Sequence, residues 1–371
     1  MRLRSQSYLD FNAGAPLHNS VMGCLAKFSS LTGNPSSVHS YGQELSKHVR
    51  KAKQQILKSL SQGSRTNEEE IVFSGSGTEA TQWVWNAIQL SSQCQDELTW
   101  VCSEIEHKAT LDTANRFAKC GYEVVKLPVH EDGSLKDFKP KPKHVYSFHW
   151  INNELGVIWP VEEYIKKIKA EKDTWVHIDA CQAWGKEPND LTRIDADFIT
   201  FSAHKIGGLP GLGITWINPK IANKVTQPKT GTLNVFGILA CAEASKHIAS
   251  RDELAQLFRL QSTFEEKLKS MIPGIKINGE TVPRVCNTTH FTITGIKNNL
   301  DLVMYMDVAG FAVSAGSACS SGIIEASHVV NALGYPKQDG IHSLRVSYGL
   351  TTTADELDGF VAELAKVVTP K

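Results

Sequence analysis

The chain has 371 residues, with 39 basic and 39 acidic side chains. That length suits about two domains, and the balanced charge gives no electrostatic footing for nucleic acid or an anionic membrane surface. No run of about 18 apolar residues occurs, which excludes a spanning helix, and the eight cysteines show no metal-ligand spacing, so no metal is expected.

The amino terminus, MRLRSQSYLDF, has two arginines without an apolar stretch behind them, and reads as the start of a folded cytoplasmic chain. Between Glu44 and Ser61 the apolar residues Leu45, Val49, Ala52, Ile56 and Leu60 recur at steps of three and four, predicting an amphipathic helix whose Lys and Arg form the solvated face. EIVFS (70–74) reads as a strand, followed by a glycine-rich turn and a helix from Thr78. TWVCSE (99–104) leads to a helix over about 107–120, stopped by Gly121. HVYSFHW, WVHIDA, DFITFSAH and GLGITWIN are further short apolar runs closed by turn residues. Strands alternating with helical patterns predict an α/β fold, with a mainly parallel central sheet flanked by helices. Near residue 250 the character changes. SRDELAQLFRLQSTFEEKLKSMI reads as one long amphipathic helix, and GIKING opens an α+β segment with strands near 286–294 and 342–348. The expected division is a large domain over 15–250 and a smaller α+β domain made of 1–14 and 251–371.

An open parallel sheet binds ligands outside the carboxyl ends of its strands. The polar residues at those ends run from Gly75 to Thr78, Glu104 to His107, Asn152 to Asn153, Asp179 to Gln182 and Ser202 to Lys205. SGSGTEA (74–80) offers free N–H groups at a helix start and the Thr78 hydroxyl, which suit a phosphate; a plain tight turn has the same sequence. It is neither G-x-x-x-x-G-K-[ST] nor G-x-G-x-x-G, so a nucleoside triphosphate is disfavoured. Asp179 and Lys205 could form a salt bridge. Alternatively, the lysine forms a Schiff base with an aldehyde cofactor and the aspartate keeps a pyridine nitrogen protonated, making the ring an electron sink. Cradle, acid and amine together describe a site for pyridoxal 5′-phosphate (PLP). His107 either caps its helix or stacks on such a ring and moves protons. Arg345 is either a structural ion-pair partner or a bidentate clamp on a substrate carboxylate. Most cysteines lie in apolar contexts, as small buried side chains do. Cys319 differs, standing in SAGSACSSG among only Ser, Ala and Gly.

YLDFNAGAP, GNPSSVHSYG, SGSGTEA, EHKATLD, NNELGV, HIDACQAWGK, FSAHKIGG, TGTLNV, AGSACSSG and LRVSYG follow one another over about residues 8–365. In that order they resemble the motifs of cysteine desulfurases, PLP enzymes of fold type I in the class V aminotransferase superfamily. The resemblance is to the group with a long SGSAC-type cysteine loop. It implies conversion of L-cysteine to L-alanine, with sulfur passing to an enzyme cysteine as a persulfide for an acceptor protein, either an iron–sulfur scaffold or a thiolation pathway. It also implies that Lys205 binds the cofactor, Asp179 pairs with its pyridinium, His107 stacks on it and Gln182 bonds its phenolic oxygen. Gly77, Thr78, Ser202 and His204 would hold the phosphate, with Thr232 reaching the phosphate of a second subunit in a homodimer. Asn153 and Arg345 would hold the substrate's amino-acid end, with Asn12 and Asn34 near it, and Cys319 would be the nucleophile. A loop of small residues lets that thiol swing from substrate to acceptor.

The sequence departs from the family pattern in three places. PKIANKVTQPKTGTLNV is shorter than usual, lacks a glycine-rich stretch, and carries Lys229 and Thr230 where Arg and Ser or Pro are common. SAHKIGGLPG replaces SGHKIYGPKG, and the longer carboxyl tail of some relatives is expected to be absent. Two other functions fit parts of the pattern. A selenocysteine lyase or other PLP-dependent C–S lyase would not need Cys319, and a non-catalytic sulfur carrier or pseudoenzyme would not need Lys205.

Overall fold

The computed structural model describes residues 6–61, 71–92, 98–187, 190, 194–228, 231–293, 302–315, 327–335 and 343–368. The chain opens with the short strand β1 (Ser7–Tyr8) and helices α1 (Asn19–Phe28) and α2 (Ser40–Leu60). Strands and helices then alternate: β2 (Ile71–Ser74), α3 (Gly77–Ser91), β3 (Thr99–Ser103), α4 (Lys108–Lys119), β4 (Val124–Leu127), β5 (His144–His149), α5 (Val161–Ile168) and β6 (Trp175–Asp179). Next come β7 (Phe198–Ser202), a 3₁₀ turn at Ala203–Ile206, β8 (Gly213–Ile217) and α6 (Val235–Ala244). The rest is α7 (Arg251–Met271), β9 (Ile275–Ile277), β10 (Thr288–Ile293), α8 (Leu302–Ala309), β11 (Phe311–Ala312), α9 (His328–Ala332), β12 (Ser343–Ser347) and α10 (Ala354–Val368).

Seven strands make the central sheet in the order β2–β8–β7–β6–β5–β3–β4. The five from β7 to β4 are parallel, whereas β8 runs antiparallel to both β7 and β2. Two reversals restore direction, so β2 points the same way as β7. The carboxyl ends of β2, β7, β6, β5 and β3 therefore share one rim, with β8 inserted between the first two. Every residue of β3, β7 and β8 is buried, as expected of strands covered on both faces. Alternation separates two packing layers. Val101, Tyr146, Phe148, Ile178, Ile199 and Phe201 pack with α2, α5 and α6, while Trp100, Val145 and Phe198 pack with α3 and α4. In the second layer Trp85 stacks on Trp100 at 4.4 Å, with the edge of Phe117 against both. In α2 the buried face includes Leu45, Val49, Ala52, Ile56 and Leu60, the face that the periodicity predicts.

A separate core gathers Leu9, Leu257, Phe264, Leu268, Phe291, Val346, Phe360 and Leu364 around the antiparallel sheet β12–β10–β9. Helix α7 starts where Ser250 and Glu253 form a reciprocal capping box. The amino-terminal strand belongs with this core. Strand β1 pairs in parallel with β11, and Asp10 bridges to Ser347. That pairing carries the chain just after β1, from Asp10 to Ala13, back to the rim of the large sheet.

Candidate active site

The site is built on the sheet face covered by α3. In β5, β6 and β7 the side chains on this face are apolar at the amino end (Val145, Trp175, Phe198), then Ser147, His177 and Thr200, then His149, Asp179 and Ser202 at the rim. The middle tier is closed on itself. Ser147 Oγ lies 2.8 Å from His177 Nδ1, His177 Nε2 lies 3.0 Å from Thr200 Oγ1, and Trp85 Nε1 donates to Ser147 Oγ at 3.3 Å. Its hydrogen bonds are met inside the protein, so the rim tier alone is left to meet a ligand.

Above that tier lies a cavity of about 280 Å³ lined by Asn12, Gly77, Thr78, His107, Asn153, Asp179, Gln182, Ser202, His204, Lys205 and Arg345, together with Cys181 and His149. On one side is the start of α3. Ser76 caps it by accepting from Glu79 N–H at 3.1 Å, and the Glu79 carboxylate takes the Gly75 N–H at 2.8 Å. The first-turn N–H groups of Gly77 and Thr78 are thus left for the cavity, beside Ser202 Oγ, which bonds His204 Nδ1 at 3.0 Å. On another side, His107 both caps α4, with Nδ1 accepting from Ala109 N–H at 3.1 Å, and presents its ring to the cavity. The two roles that the sequence leaves open for it coexist. Because Nδ1 accepts, the neutral ring carries its proton on Nε2.

Asp179 closes the floor, its Oδ1 accepting from Cys181 N–H at 3.0 Å. The Lys205 amine donates to the backbone carbonyls of Asn12 at 2.5 Å and Ala13 at 3.0 Å. Asn12 is the hub of this corner. Its Nδ2 donates to Thr288 Oγ1 at 2.8 Å and to the Asn153 carbonyl at 3.1 Å, while its Oδ1 accepts from Lys186 Nζ at 2.7 Å and Asn287 Nδ2 at 3.3 Å. That amide is spent within the protein, so Asn12 holds the site together rather than offering a free arm. Arg345 donates from Nη2 to Asp10 Oδ1 at 2.6 Å and from Nη1 to the Asn153 carbonyl at 3.0 Å; its buried Nε has no partner among the described residues.

Burial works against protonation of the bases. Burial pushes the Lys205 amine below its ordinary pKa, and the Arg345 guanidinium adds to this against the pull of Asp10 and Asp179. The His107 ring opens to the cavity but is crowded by its walls, and that desolvation lowers its pKa, with Lys205 acting in the same direction. Burial and Lys205 bring His204 down to about 4.

Two of the sequence-predicted residues lie elsewhere in the described chain. Asn34 is in the turn before α2, where its Oδ1 accepts from Ser36 N–H at 2.9 Å, a local bond that turns it away from the rim. Thr232 lines a neighbouring cavity of about 380 Å³ with Gly75, Glu79 and Trp83. Cys319, Lys229 and Thr230 lie outside the described residues. The described residues flanking Cys319 are both tied to the site: Ser314 pairs with the backbone of Arg345, and Ser327 Oγ donates to the buried Glu154 at 2.5 Å.

The sequence reading missed His149 and Lys186, and took in Glu106 and Cys181 only as members of the strand-end runs 104–107 and 179–182, with no role for either. His149 Nδ1 stands 3.0 Å from a carboxylate oxygen of the fully buried Glu106, though misaligned for a hydrogen bond, and its Nε2 is buried without a partner among the described residues. Polar residues at every second position of HVYSFH and WVHID are the signal that could have found His149 beside Asp179. Cys181, inside the strand-end run 179–182, lines the cavity as that position implies.

The donor set fits PLP. A helix start with free N–H groups, a carboxylate, a primary amine of lowered pKa and an imidazole surround one space. A Cβ added to Gly77 would come within 3.1 Å of Cys181 Sγ and 3.2 Å of Ser202 Cβ, so the cradle is shaped for a bare backbone.

The family pattern described as aminotransferase class-V matches residues 7–231 and 226–360. The cysteine desulfurase IscS of Dictyoglomus turgidum is 31% identical over 384 aligned positions, covering 99% of this chain and 95% of the relative. A cysteine desulfurase of a Nostoc strain is 29% identical, covering 97% and 92%. Among solved structures, a NifS-like protein superposes with a TM-score of 0.84 at 26% identity, covering 98% of this chain and 99% of that one. A structure titled SspA in complex with cysteine, at 21% identity and a TM-score of 0.79, shares the fold.

Proposed function

Since the chain belongs to the class-V aminotransferase family, as one of its PLP-dependent cysteine desulfurases, we propose that the cavity above Asp179 is its active site and that Cys319 receives the sulfur. The observation that carries this reading is the convergence of Asp179, Lys205, His107 and the start of α3 on one space. PLP, when bound, supplies an electron sink for the substrate's α-carbon.

The chain's own residues supply the rest. Gly77 and Thr78 N–H, Ser202 and His204 would hold the phosphate, Asp179 would pair with the ring nitrogen, and Gln182 would bond the phenolic oxygen. Lys205, its pKa lowered by burial, would hold the aldehyde and afterwards move a proton at its amine nitrogen. His107 covers the ring and holds its own proton at Nε2. Arg345 and Asn153, which line the cavity, would receive the amino-acid end. The Cys319 thiolate attacks the substrate sulfur. An S–S bond forms as the C–S bond breaks, the carbon keeps the electron pair and is protonated to the methyl group of alanine, and the sulfur stays on Cys319 as a persulfide.

A homodimer in which Thr232 completes the phosphate site of the second copy fits the exposed position of Thr232 beside α3. The parts flanking residue 250 are read as a cofactor domain (15–250) and a small domain (1–14 and 251–371) that carries Cys319. A cytoplasmic setting and a sulfur-acceptor protein suit a persulfide donor; no helix among the described residues is long and apolar enough to cross a membrane.

The test is incubation of the purified protein with PLP and L-cysteine, with alanine quantified and intact-mass analysis of Cys319. One alanine per turnover and a gain of one sulfur on Cys319, abolished in Cys319→Ser, are expected. Sulfide release that survives Cys319→Ser would reassign the chain to a lyase that needs no persulfide.

A further inference from the structure

The lysine next to the proposed cofactor contacts has no part in the reading above. After β6 the chain makes two successive turns, and Gly185, at φ +77°, sends it back so that Lys186 returns beneath Gln182. The Lys186 stem runs along a crevice of about 420 Å³ beside Trp184 and Tyr348, while its nitrogen is enclosed. That nitrogen donates to Asn12 Oδ1 at 2.7 Å and to Gln182 Oε1. Among the described residues no carboxylate is hydrogen-bonded to it. Burial, and after it the neighbouring Lys205 and Arg345, hold its pKa well below that of an ordinary lysine, and Cys286 is the neighbour that opposes this lowering.

Enclosing an amine away from water is unfavourable unless its hydrogen bonds are met, so its bonds matter more than its charge. Gln182 Nε2 donates to the Asn12 backbone carbonyl at 3.0 Å, an oxygen that can only accept. Lys186 takes the other end of the same amide. With Oε1 held by one group and one N–H held by another, the second N–H of Gln182 is left for the cavity that Gln182 lines. Asn12, whose carbonyl also receives Lys205, is tied into the same unit.

We propose that Lys186 is a positioning residue for the cofactor's phenolic oxygen: by bridging Gln182 and Asn12 it fixes the Gln182 amide with an N–H aimed at that oxygen. This rests on the PLP reading. An N–H donor shares the phenolate's negative charge with the proton on the Lys205 nitrogen. Removing the donor leaves more of that charge to the proton, so the pH midpoint of the cofactor's visible band rises; removal of a neighbouring amine has the same sign.

The experiment is a spectrophotometric pH titration of holoenzyme, with cofactor affinity by equilibrium dialysis against PLP, for wild type, Lys186→Met, Gln182→Leu and the double variant. Lys186→Met and Gln182→Leu are each expected to raise the midpoint by about half to one unit and to weaken PLP binding about fivefold to tenfold. The double variant should be no worse than Gln182→Leu, because one residue acts through the other. An unchanged midpoint and affinity in Lys186→Met overturn the proposal, as do fully additive shifts. If Lys186→Met does not fold, an unshifted midpoint in Gln182→Leu overturns it alone. A wild-type protein that gives no visible band with PLP would instead overturn the cofactor reading.

Discussion

At the scale of single residues, the site depends on groups that tolerate little change. Lys205→Ala should bind PLP without a Lys-linked visible band and should form no alanine, read by absorbance and product analysis. Gly77→Ala tests the cradle without altering any functional group. Its new Cβ meets Cys181 Sγ and Ser202 Cβ, neither of which is the far end of a flexible chain. It should weaken PLP binding tenfold or more on the order of a lost charge-assisted contact, while leaving the melting temperature of the apoprotein within a few degrees. A dialysis constant equal to wild type would show that the phosphate lies elsewhere. Asp179, Lys205 and the glycine-rich turn were legible in the sequence because strand ends in a parallel sheet announce themselves. Lys186 and His149 were not; the place of Lys186 comes from a neighbour distant in sequence, Asn12.

At the scale of elements, the order of the β-strands converts short sequence signals into a site. Hydrogen bonds group Ser147, His177 and Thr200 on one face and leave His149, Asp179 and Ser202 at the rim, although the backbone register sets His177 opposite Phe198 and Asp179 opposite Thr200. Helix ends do comparable work. The α3 cap spends two N–H groups on Ser76 and Glu79 and leaves two for the ligand, whereas the α7 capping box serves stability alone. Ser250→Ala should therefore cost about 1 kcal/mol in denaturant unfolding and leave desulfurase activity unchanged. The helices predicted within 44–61 and over 250–272 agree with α2 and α7 to within a residue or so at most ends, since long amphipathic periods survive most tertiary contexts. The isolated antiparallel strand β8 carried no distinguishing signal, because a fully buried run reads alike in either direction.

At the scale of the whole molecule, buried polar groups link stability to pH and join the two cores. His177 and His290 are fully enclosed, and burial holds them to about 4 and about 3. Unfolded imidazoles titrate near 6.5, so between those values the unfolded chain binds more protons than the folded one. Stability present above about pH 6.5 is lost as the pH falls towards 4, by up to about 1.4 kcal/mol per pH unit for each histidine. Thermal melts from pH 7 to pH 4 should show the decline; a flat profile would mean that these rings are protonated in the fold. Arg284, bridged to Val157 near the rim, pairs twice with Glu265 of α7 at 2.8 Å, both side chains nearly enclosed. Arg284→Ala strands that carboxylate and should destabilise by about 3–5 kcal/mol, measured by chemical denaturation.

The sequence by itself determined the alternating architecture, the helix starts and the acid, amine and thiol that the chemistry requires. All of these are written in local periodicity, turn residues and short motifs. The tertiary structure alone decided that β1 joins the distant carboxyl-terminal core and so delivers Asn12 to the rim. It also decided that His149 and Lys186 enclose the site. Such placements depend on which strands pair and which turns fold back, and those are set by packing among residues more than a hundred positions apart.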